Sequence, residues 1–188
     1  MSTTDSALDQ RLKNPIEVVT AFLDRLRAGD VDGAAVLMSA DIRYRNASLP
    51  TITTRERVRR IFAATLGRPG ISFDFVNHSI AAAERGSPAR AAASGGNGAT
   101  VLTERTDALI AGRLRVQLWV CGRFDVQDGE ITAWTDYFDW GNLAVAGLRG
   151  LVGWSYPLLR PSFRRGSYIA TRPVPPPLSR RAELKRAS

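Results

Sequence analysis

The chain has 188 residues, 44% of them hydrophobic and 23% charged, which is typical of a single soluble globular domain with its own core. Its one cysteine, Cys121, excludes an internal disulfide framework and a cysteine-rich zinc site, and no apolar run reaches the ~18 residues of a membrane span. Of the net charge of +8, +7 lies from Arg160 onward, so residues 1–159 are nearly neutral and do not suggest a nucleic-acid-binding domain.

The N-terminal third is predicted to be helical. Residues 1–13 form a polar leader without the apolar region of a secretory signal, so a cytoplasmic location is expected. Pro15 opens a helix whose apolar residues recur at helical spacing, and Gly29 ends it. Asp30 is placed to cap a second short helix. A short strand is predicted from residue 42 to residue 46.

A third helix is predicted to follow a turn at Pro50. The pattern Thr53-x-x-Glu56 is typical of a capping box, and the helix is expected to run to about Gly67. Its arginines, at positions 55, 57, 59 and 60, indicate a solvated helix face.

Alternating apolar and polar residues predict strands in the second half of the chain. These are residues 71–80, 101–110, 114–126 and 131–138. The Ala-, Gly- and Ser-rich segment 84–99 is predicted to be a flexible hairpin connection, and residues 141–152 form a last helix. Helices followed by a meander of strands indicate an α+β domain, in which the strands curl around the helices and leave an internal pocket.

The boundaries of this domain are predicted at residues 14 and 152. Residues 153–188 are basic and contain the run Pro175-Pro176-Pro177, which is typical of a disordered or polyproline-like extension.

Charged residues lie on the apolar face of the predicted strand 101–110. Arg105 and Asp107 are two residues apart, so they project to the same side as Val101, Thr103 and Leu109. Burying an unpaired charge costs several kcal/mol or more, roughly, so this pair has either a chemical role or the role of tying strands together.

Two further strands carry polar groups in the same alternating way. Asp136 shares a face with Trp134 and Phe138, and Tyr44 shares a face with Asn46. If these faces and that of strand 101–110 all turn inward, the pocket holds two aspartates, an arginine, a tyrosine and an asparagine among aromatic side chains.

This set resembles the limonene-1,2-epoxide hydrolase family, within the superfamily of nuclear-transport-factor-like cone folds. The resemblance rests on Tyr44-x-Asn46, Arg105-x-Asp107 and Asp136 in their flanking sequences and covers roughly residues 14–150. The segment 84–99 and the residues after about 153 depart from the family pattern.

The resemblance implies a single cone-shaped domain with a strongly curved mixed sheet around three to four helices, and hydrolysis of a hydrophobic, terpene- or sterol-like epoxide to a vicinal diol. Asp136 would be the base that takes a proton from water, and Tyr44 and Asn46 would hold that water. Asp107 would protonate the epoxide oxygen, and Arg105 would bridge the two carboxylates. The reaction would need one step, no covalent intermediate, no cofactor and no metal.

Elementary electrostatics is consistent with these roles. Two carboxylates close together do not both ionise readily, so the pKa of one rises and the pair shares a proton. A bridging arginine then leaves the three groups close to neutral inside an apolar pocket.

Two other functions use the same fold. One is a ketosteroid-isomerase-like or polyketide-cyclase-like enzyme, which does not require an arginine between two aspartates; the other is a non-catalytic small-molecule-binding protein. An α/β-hydrolase type of epoxide hydrolase is disfavoured, because the chain has a single histidine, His78, and no G-x-S-x-G motif. His78 is interpreted as a structural or rim residue and Cys121 as a packing residue.

The partners expected are a small hydrophobic epoxide, water and, from the resemblance, a second copy of the chain in a homodimer. No specific nucleic-acid partner is expected. Residues 143–163 are rich in leucine and aromatic residues and precede the arginines of the tail. They either pack over the pocket mouth or a second subunit, or they contribute with the tail to a weak membrane-surface contact.

Overall fold

A computed structural model of the protein describes residues 14–84 and 98–163. The predicted leader 1–13, nearly all of the connection 84–99 and the tail beyond residue 163 lie outside the described residues.

One mixed sheet forms the framework of the described residues. Its strands are β1 (Met38–Asn46), β2 (Ile52–Thr53), β3 (Ile71–Glu84), β4 (Gly98–Ala111), β5 (Leu114–Gln127) and β6 (Glu130–Tyr137). They lie in the order β2-β1-β6-β5-β4-β3, in which β1 and β6 are parallel and all other neighbours antiparallel. The two end strands of this order are not neighbours, so the curled sheet stays open. The α+β class is therefore confirmed.

The first helix begins and ends, and the second begins, as the sequence predicts. Helix α1 (Pro15–Arg27) has proline at its first position, and the side chain of Asn14 accepts a hydrogen bond from a backbone N–H of its first turn. Gly29 follows with a φ of 74°, a conformation that glycine adopts without steric cost. Asp30 caps helix α2 (Val31–Val36) with a side-chain hydrogen bond of 2.8 Å.

The capping box predicted for helix α3 (Arg55–Thr65) is wrong. Thr53 belongs to β2 and pairs with Arg43 of β1, so strand pairing takes it away from the helix N-terminus. The helix starts without a side-chain cap bond, and Glu56 instead accepts hydrogen bonds of 3.0 and 3.2 Å from Arg59 one turn later.

An aromatic cluster joins the helices to the inner face of the sheet. Its members come from α1, β1, α3, β5 and β6; they are Phe22, Tyr44, Phe62, Phe124 and Trp134. The Trp134 ring lies in the middle, with centroids 4.5 to 5.6 Å from those of the other four rings. This ring packing holds β1 and β6 against the helices at the level where the predicted site residues project.

Removing the Phe22 ring is expected to lower the free energy of unfolding by about 3–5 kcal/mol, because Phe22 is fully buried and Phe22→Ala leaves a cavity in its place. Val36→Ala is the control: Val36 is 70% exposed, so its loss is expected to change stability by no more than about 0.5 kcal/mol. Chemical denaturation of both variants measures the difference, and equal midpoints would contradict the proposed core.

Helix α4 (Trp140–Ser155) packs beside a part of β5 that β6 does not reach. Strand β6 pairs only with the second half of β5, residues 121–127, and the chain then turns through Asp139, whose side chain caps α4. Gly150 lies so close to β5 that a Cβ on it would be 2.8 Å from the carbonyl oxygen of Arg115. The helix extends past residue 152, where the sequence predicts the end of the domain, and a 3₁₀ turn (Pro157–Leu159) follows.

None of the helices within residues 14–84 and 98–163 combines the length and the hydropathy of a membrane span.

Candidate active site

Four neighbouring strands bring the polar residues into one row. Asn46 of β1 is the register partner of Asp136 of β6, Asp136 is the partner of Gly122 of β5, and Gly122 is the partner of Thr103 of β4. Direct partners in a sheet project to the same face. The predicted stretches therefore meet across four strands on the inner face of the sheet.

Arg105 is the centre of this site. Its side chain is fully buried, and its Nε donates to both oxygens of Asp107 at 2.8 and 3.1 Å. Its Nη2 lies 2.7 Å from Oδ1 of Asp136, and its Nη1 donates to the hydroxyl of Thr103 at 3.0 Å. The guanidinium thus bridges the two carboxylates, with each of its three nitrogens bonded to a different residue.

A glycine opposite Thr103 leaves the space that the guanidinium occupies. A Cβ on Gly122 would overlap Nη1 of Arg105 and would lie 2.6 Å from the hydroxyl oxygen of Thr103. Glycine inside a strand often marks such a close approach. Arg105 can reach from β4 across β5 to Asp136 only because position 122 has no side chain.

The ion pair and the hydrogen bond made by Asp136 use the same carboxylate oxygen. Besides Arg105, the indole Nε1 of Trp134 donates to Oδ1 of Asp136 at 2.8 Å. Within residues 14–84 and 98–163, no side chain or backbone group donates to Oδ2. This oxygen is therefore available to accept a hydrogen bond from a water molecule.

Tyr44 and Asn46 form the side of the site next to Asp136. The Tyr44 hydroxyl donates to Oδ1 of Asn46 at 3.1 Å. Burial, followed by the negative charge of Asp136, raises the pKa of Tyr44, so its hydroxyl keeps its proton and remains a donor. All five predicted site residues thus lie in one region: Arg105 joins the two aspartates, and the other two residues are hydrogen-bonded to each other.

Burial sets the protonation state of Asp107. Removal from water raises the pKa of Asp107 from 3.8 to about 6; the charge of Arg105 opposes this rise and that of Asp136 adds to it. The geometry alone suggests an ionised carboxylate, since both oxygens contact Arg105. Both contacts, however, share the single Nε–H, so lone pairs remain for a proton and the raised pKa is compatible with the arrangement.

Arg105 remains charged in spite of its burial. Desolvation alone would lower the pKa of its guanidinium, but attraction to Asp136 and Asp107 outweighs this effect and raises the pKa. One permanent positive charge therefore faces the carboxyl groups of Asp107 and Asp136.

The alternation that predicts this face holds along only part of β4. Val101, Thr103, Arg105 and Asp107 are buried, as predicted, but Leu109 is 44% exposed while its neighbour Ala108 is fully buried. The buried side of β4 switches where α4 lies against the adjoining strand β5. The apolar face around Arg105 and Asp107 therefore covers fewer residues of β4 than the sequence predicts.

His78 lies on the opposite face of the sheet. A bulge of β3 places its Nε2 2.7 Å from the hydroxyl oxygen of Thr106, which alternates with Arg105 and Asp107 along β4 and so projects away from them. This position agrees with the structural role inferred for His78.

Two cavities lie away from these carboxylates. One of about 210 Å³ on the outer face of the sheet is lined by residues that include Arg43, Arg45 and Arg123. The other, of about 530 Å³, lies between α4, β5 and the segment after α4.

The described residues contain no group of three or more histidine, cysteine and acidic side chains placed to hold a metal ion.

Sequence reasoning misses three members of this site. It treats Trp134 only as an apolar neighbour of Asp136, although its position two residues away on the same strand already places the indole N–H within reach. Thr103 is predicted only as part of the apolar face of β4. Gly122 is not predicted at all, and the signal available for it is an isolated glycine within a predicted strand.

The chain is similar to known epoxide hydrolases over most of its length. The family described as Limonene-1,2-epoxide hydrolase catalytic domain matches residues 13–149. Epoxide hydrolase EphG of Mycobacterium tuberculosis is 41% identical over 142 residues, which are 76% of this chain and 85% of that protein.

Solved structures show the same fold. The structure of an M. tuberculosis LEH-like epoxide hydrolase superposes with a TM-score of 0.65 at 38% identity, over 78% of this chain and 94% of that one. A protein with a ketosteroid isomerase-like fold from Catenulispora acidiphila, solved in complex with trimethylamine, has a TM-score of 0.53 at 19% identity, over 70% of this chain and 92% of that one. The second likeness concerns the fold alone.

Proposed function

This chain belongs to the limonene-1,2-epoxide hydrolase family and is an epoxide hydrolase, and we propose that it opens a hydrophobic, terpene- or sterol-like epoxide to a vicinal diol in one step. The observation that carries this proposal is the bridge formed by Arg105 between Asp107 and Asp136. It supplies an acid and a base on one sheet face, and it is the feature that ketosteroid-isomerase and polyketide-cyclase chemistry does not require.

Asp136 is proposed as the general base. Its Oδ2 accepts a proton from a water molecule that Tyr44 and Asn46 also hold, while Trp134 and Arg105 fix the carboxylate through Oδ1. The oxygen of that water forms a new bond to one carbon of the epoxide ring.

Asp107 is proposed as the general acid. As the ring C–O bond breaks, the ring oxygen takes the proton of Asp107 and becomes the second hydroxyl of the diol. The raised pKa of Asp107 supports this role, because a carboxyl group with a pKa of about 6 keeps its proton in weakly acidic solution, where an ordinary aspartate has lost it. The proton gained by Asp136 then returns to Asp107. Arg105 contacts both of these carboxyl groups at once.

The direct attack of water can be tested by isotope labelling in a single turnover. With enzyme in excess over limonene oxide in heavy-oxygen water, we expect the label in the diol of the first turnover and none in the protein. Label absent from the first diol and later found in an aspartate of the enzyme would indicate a covalent intermediate and contradict the one-step mechanism.

A panel of limonene oxide, cyclohexene oxide, styrene oxide and a sterol 5,6-epoxide defines the substrate size.

The rate is expected to fall as Asp107 loses its proton. Above an apparent pKa of about 6, kcat/KM should drop by roughly tenfold per pH unit. The same group favours the folded state below this pKa, since the folded protein holds the proton more tightly than the unfolded chain, and that contribution is lost as the pH rises through about 6. A pH profile of kcat/KM, measured with a small epoxide and corrected for spontaneous hydrolysis, tests the predicted fall in rate. A flat profile through neutral pH would contradict the assignment of Asp107 as the acid.

A cytoplasmic homodimer is also proposed. Support for a second copy comes from apolar side chains exposed on the outer face of the sheet, among them Leu102 and Trp119, which are 54% and 48% exposed. The basic C-terminal extension, residues 153–188, is proposed to add a weak contact with a membrane surface.

A further inference from the structure

Helix α4 presents its large apolar side chains to solvent. The residues that it turns towards the rest of the protein are small: Ala146, Gly150 and Gly153 are its buried positions. The exposed positions form what we call the α4 face, which consists of Val145, Leu148, Leu151, Val152, Trp154 and, beyond the helix, Leu158. A surface helix normally has the opposite distribution, so contiguous exposed apolar area of this kind marks a binding surface.

The exposed apolar surface of the α4 face is large and continuous along the chain. Leu148, Leu151 and Trp154 are 63%, 55% and 53% exposed and follow one another at a spacing of three residues, and Leu158 is completely exposed. Helical residues three apart lie side by side on one face. The adjoining cavity of about 530 Å³ is lined by four apolar residues of the helix and of the segment after it, together with Gln117, Arg149 and Ser162.

The charge around this face has one sign. From Trp140 to the end of the sequence the chain contains nine basic residues and a single acid, Glu183. Arg149 and Arg160 are the described members, and both are exposed. Two copies of such a face would bring positive charges together, whereas an anionic surface would complement them.

We propose that the α4 face docks the enzyme on an anionic lipid bilayer. The apolar side chains would enter the boundary between headgroups and acyl chains, where Trp is a preferred residue, and the surrounding arginines would contact lipid phosphates. The inference goes beyond epoxide hydrolysis and concerns residues outside the catalytic groups. It has a consequence for the proposed function, since apolar epoxides concentrate in bilayers.

Vesicle binding by the full chain tests this docking. Wild type is expected to co-sediment with phosphatidylcholine vesicles that contain phosphatidylglycerol, less with pure phosphatidylcholine, and less again at high salt. The double variant Leu151→Ser, Trp154→Ser is expected to bind at least about tenfold more weakly, because two large apolar anchors are lost.

Val36→Ser is the matched control. Val36 is 70% exposed, but it lies on α2 and belongs neither to the α4 face nor to the proposed subunit contact, so this variant is expected to bind vesicles like wild type. Turnover of a water-soluble epoxide, measured without vesicles, is expected to be unchanged in all variants. That measurement separates failure of docking from failure of the catalytic assignment.

Three results would overturn the proposal. One is no binding of wild type to the anionic vesicles. The second is equal binding of wild type and the double variant, which would mean that charge alone causes the attachment. The third is a change of oligomeric state in the double variant, measured by size exclusion with light scattering, which would assign the α4 face to a second copy of the chain.

Discussion

Asp136→Asn and Asp107→Asn are each expected to lower kcat for epoxide hydrolysis by at least about 10²–10⁴-fold, the contribution typical of a positioned acid or base. An asparagine at position 136 can still accept hydrogen bonds from Trp134 and Arg105 through its amide oxygen, and one at position 107 can still accept from Nε of Arg105. The local geometry therefore survives while proton transfer is lost.

The two variants are expected to differ in their electrostatics. An asparagine at position 107 resembles the protonated form of Asp107, so Arg105 keeps its charge balance with Asp136 and stability changes little. In Asp136→Asn the charge of Arg105 is balanced only by Asp107, whose pKa should fall because a nearby carboxylate that raised it is gone. This variant would then lack the base, and Asp107 would lose its proton at a lower pH than in wild type.

Charge balance also predicts the stability of the double variant Asp107→Asn, Asp136→Asn. The double variant leaves Arg105 buried without any carboxylate, and breaking a buried pair in this way costs about 3–5 kcal/mol. Thermal unfolding should therefore show near-wild-type stability for Asp107→Asn and a large loss for the double variant.

Asp139→Asn is the control in the same motif. Asp139 caps α4, and asparagine is an equally good cap, so activity and stability are expected to remain close to wild type. Activity retained in Asp107→Asn or in Asp136→Asn would overturn the role of that residue.

The sequence revealed the strands of the site because alternation is a local signal. Arg105 and Asp107 could be placed on one face from their spacing alone, and the same holds for Tyr44 with Asn46. The register that puts Asn46 next to Asp136 was not available in this way, because it depends on a parallel pairing between β1 and β6, which are separated by more than 80 residues. The resemblance to a family supplied that link.

The prediction from the sequence is wrong where two kinds of structure compete for one residue. Thr53 has the sequence signature of a helix cap, but the short pairing of β2 with β1 takes it into the sheet. The α4 region shows a related difficulty: its apolar residues predict a helix, yet the side that packs inward consists of alanine and glycine. Composition does not reveal that small residues were needed for close approach to β5.

Gly122→Ala is expected to lower kcat by about 10²-fold or more without changing any group that takes part in proton transfer. The added methyl group would overlap Nη1 of Arg105 and crowd the Thr103 hydroxyl, so the guanidinium must move. Misplacement of a positioned group by about 1 Å is enough for a loss of this size. Overpacking is also expected to cost about 1–3 kcal/mol of stability.

Gly147→Ala is the control for the added methyl group. Nothing lies within 4 Å of a Cβ at Gly147, which is in α4, so this change should leave kcat unaltered and favour the helix by up to about 1 kcal/mol.

The pH profile separates a positioning role of Gly122 from simple destabilisation. Attraction to Arg105 lowers the pKa of Asp107, so displacing the guanidinium should raise that pKa and shift the fall of kcat/KM to higher pH than in wild type. A variant that is merely less stable would lose activity in proportion to its unfolded fraction and keep the wild-type profile. An unshifted profile with reduced stability would therefore show that Gly122 serves only packing, whereas a shifted profile in a folded protein would show that the empty space at this position holds Arg105 between the two carboxylates.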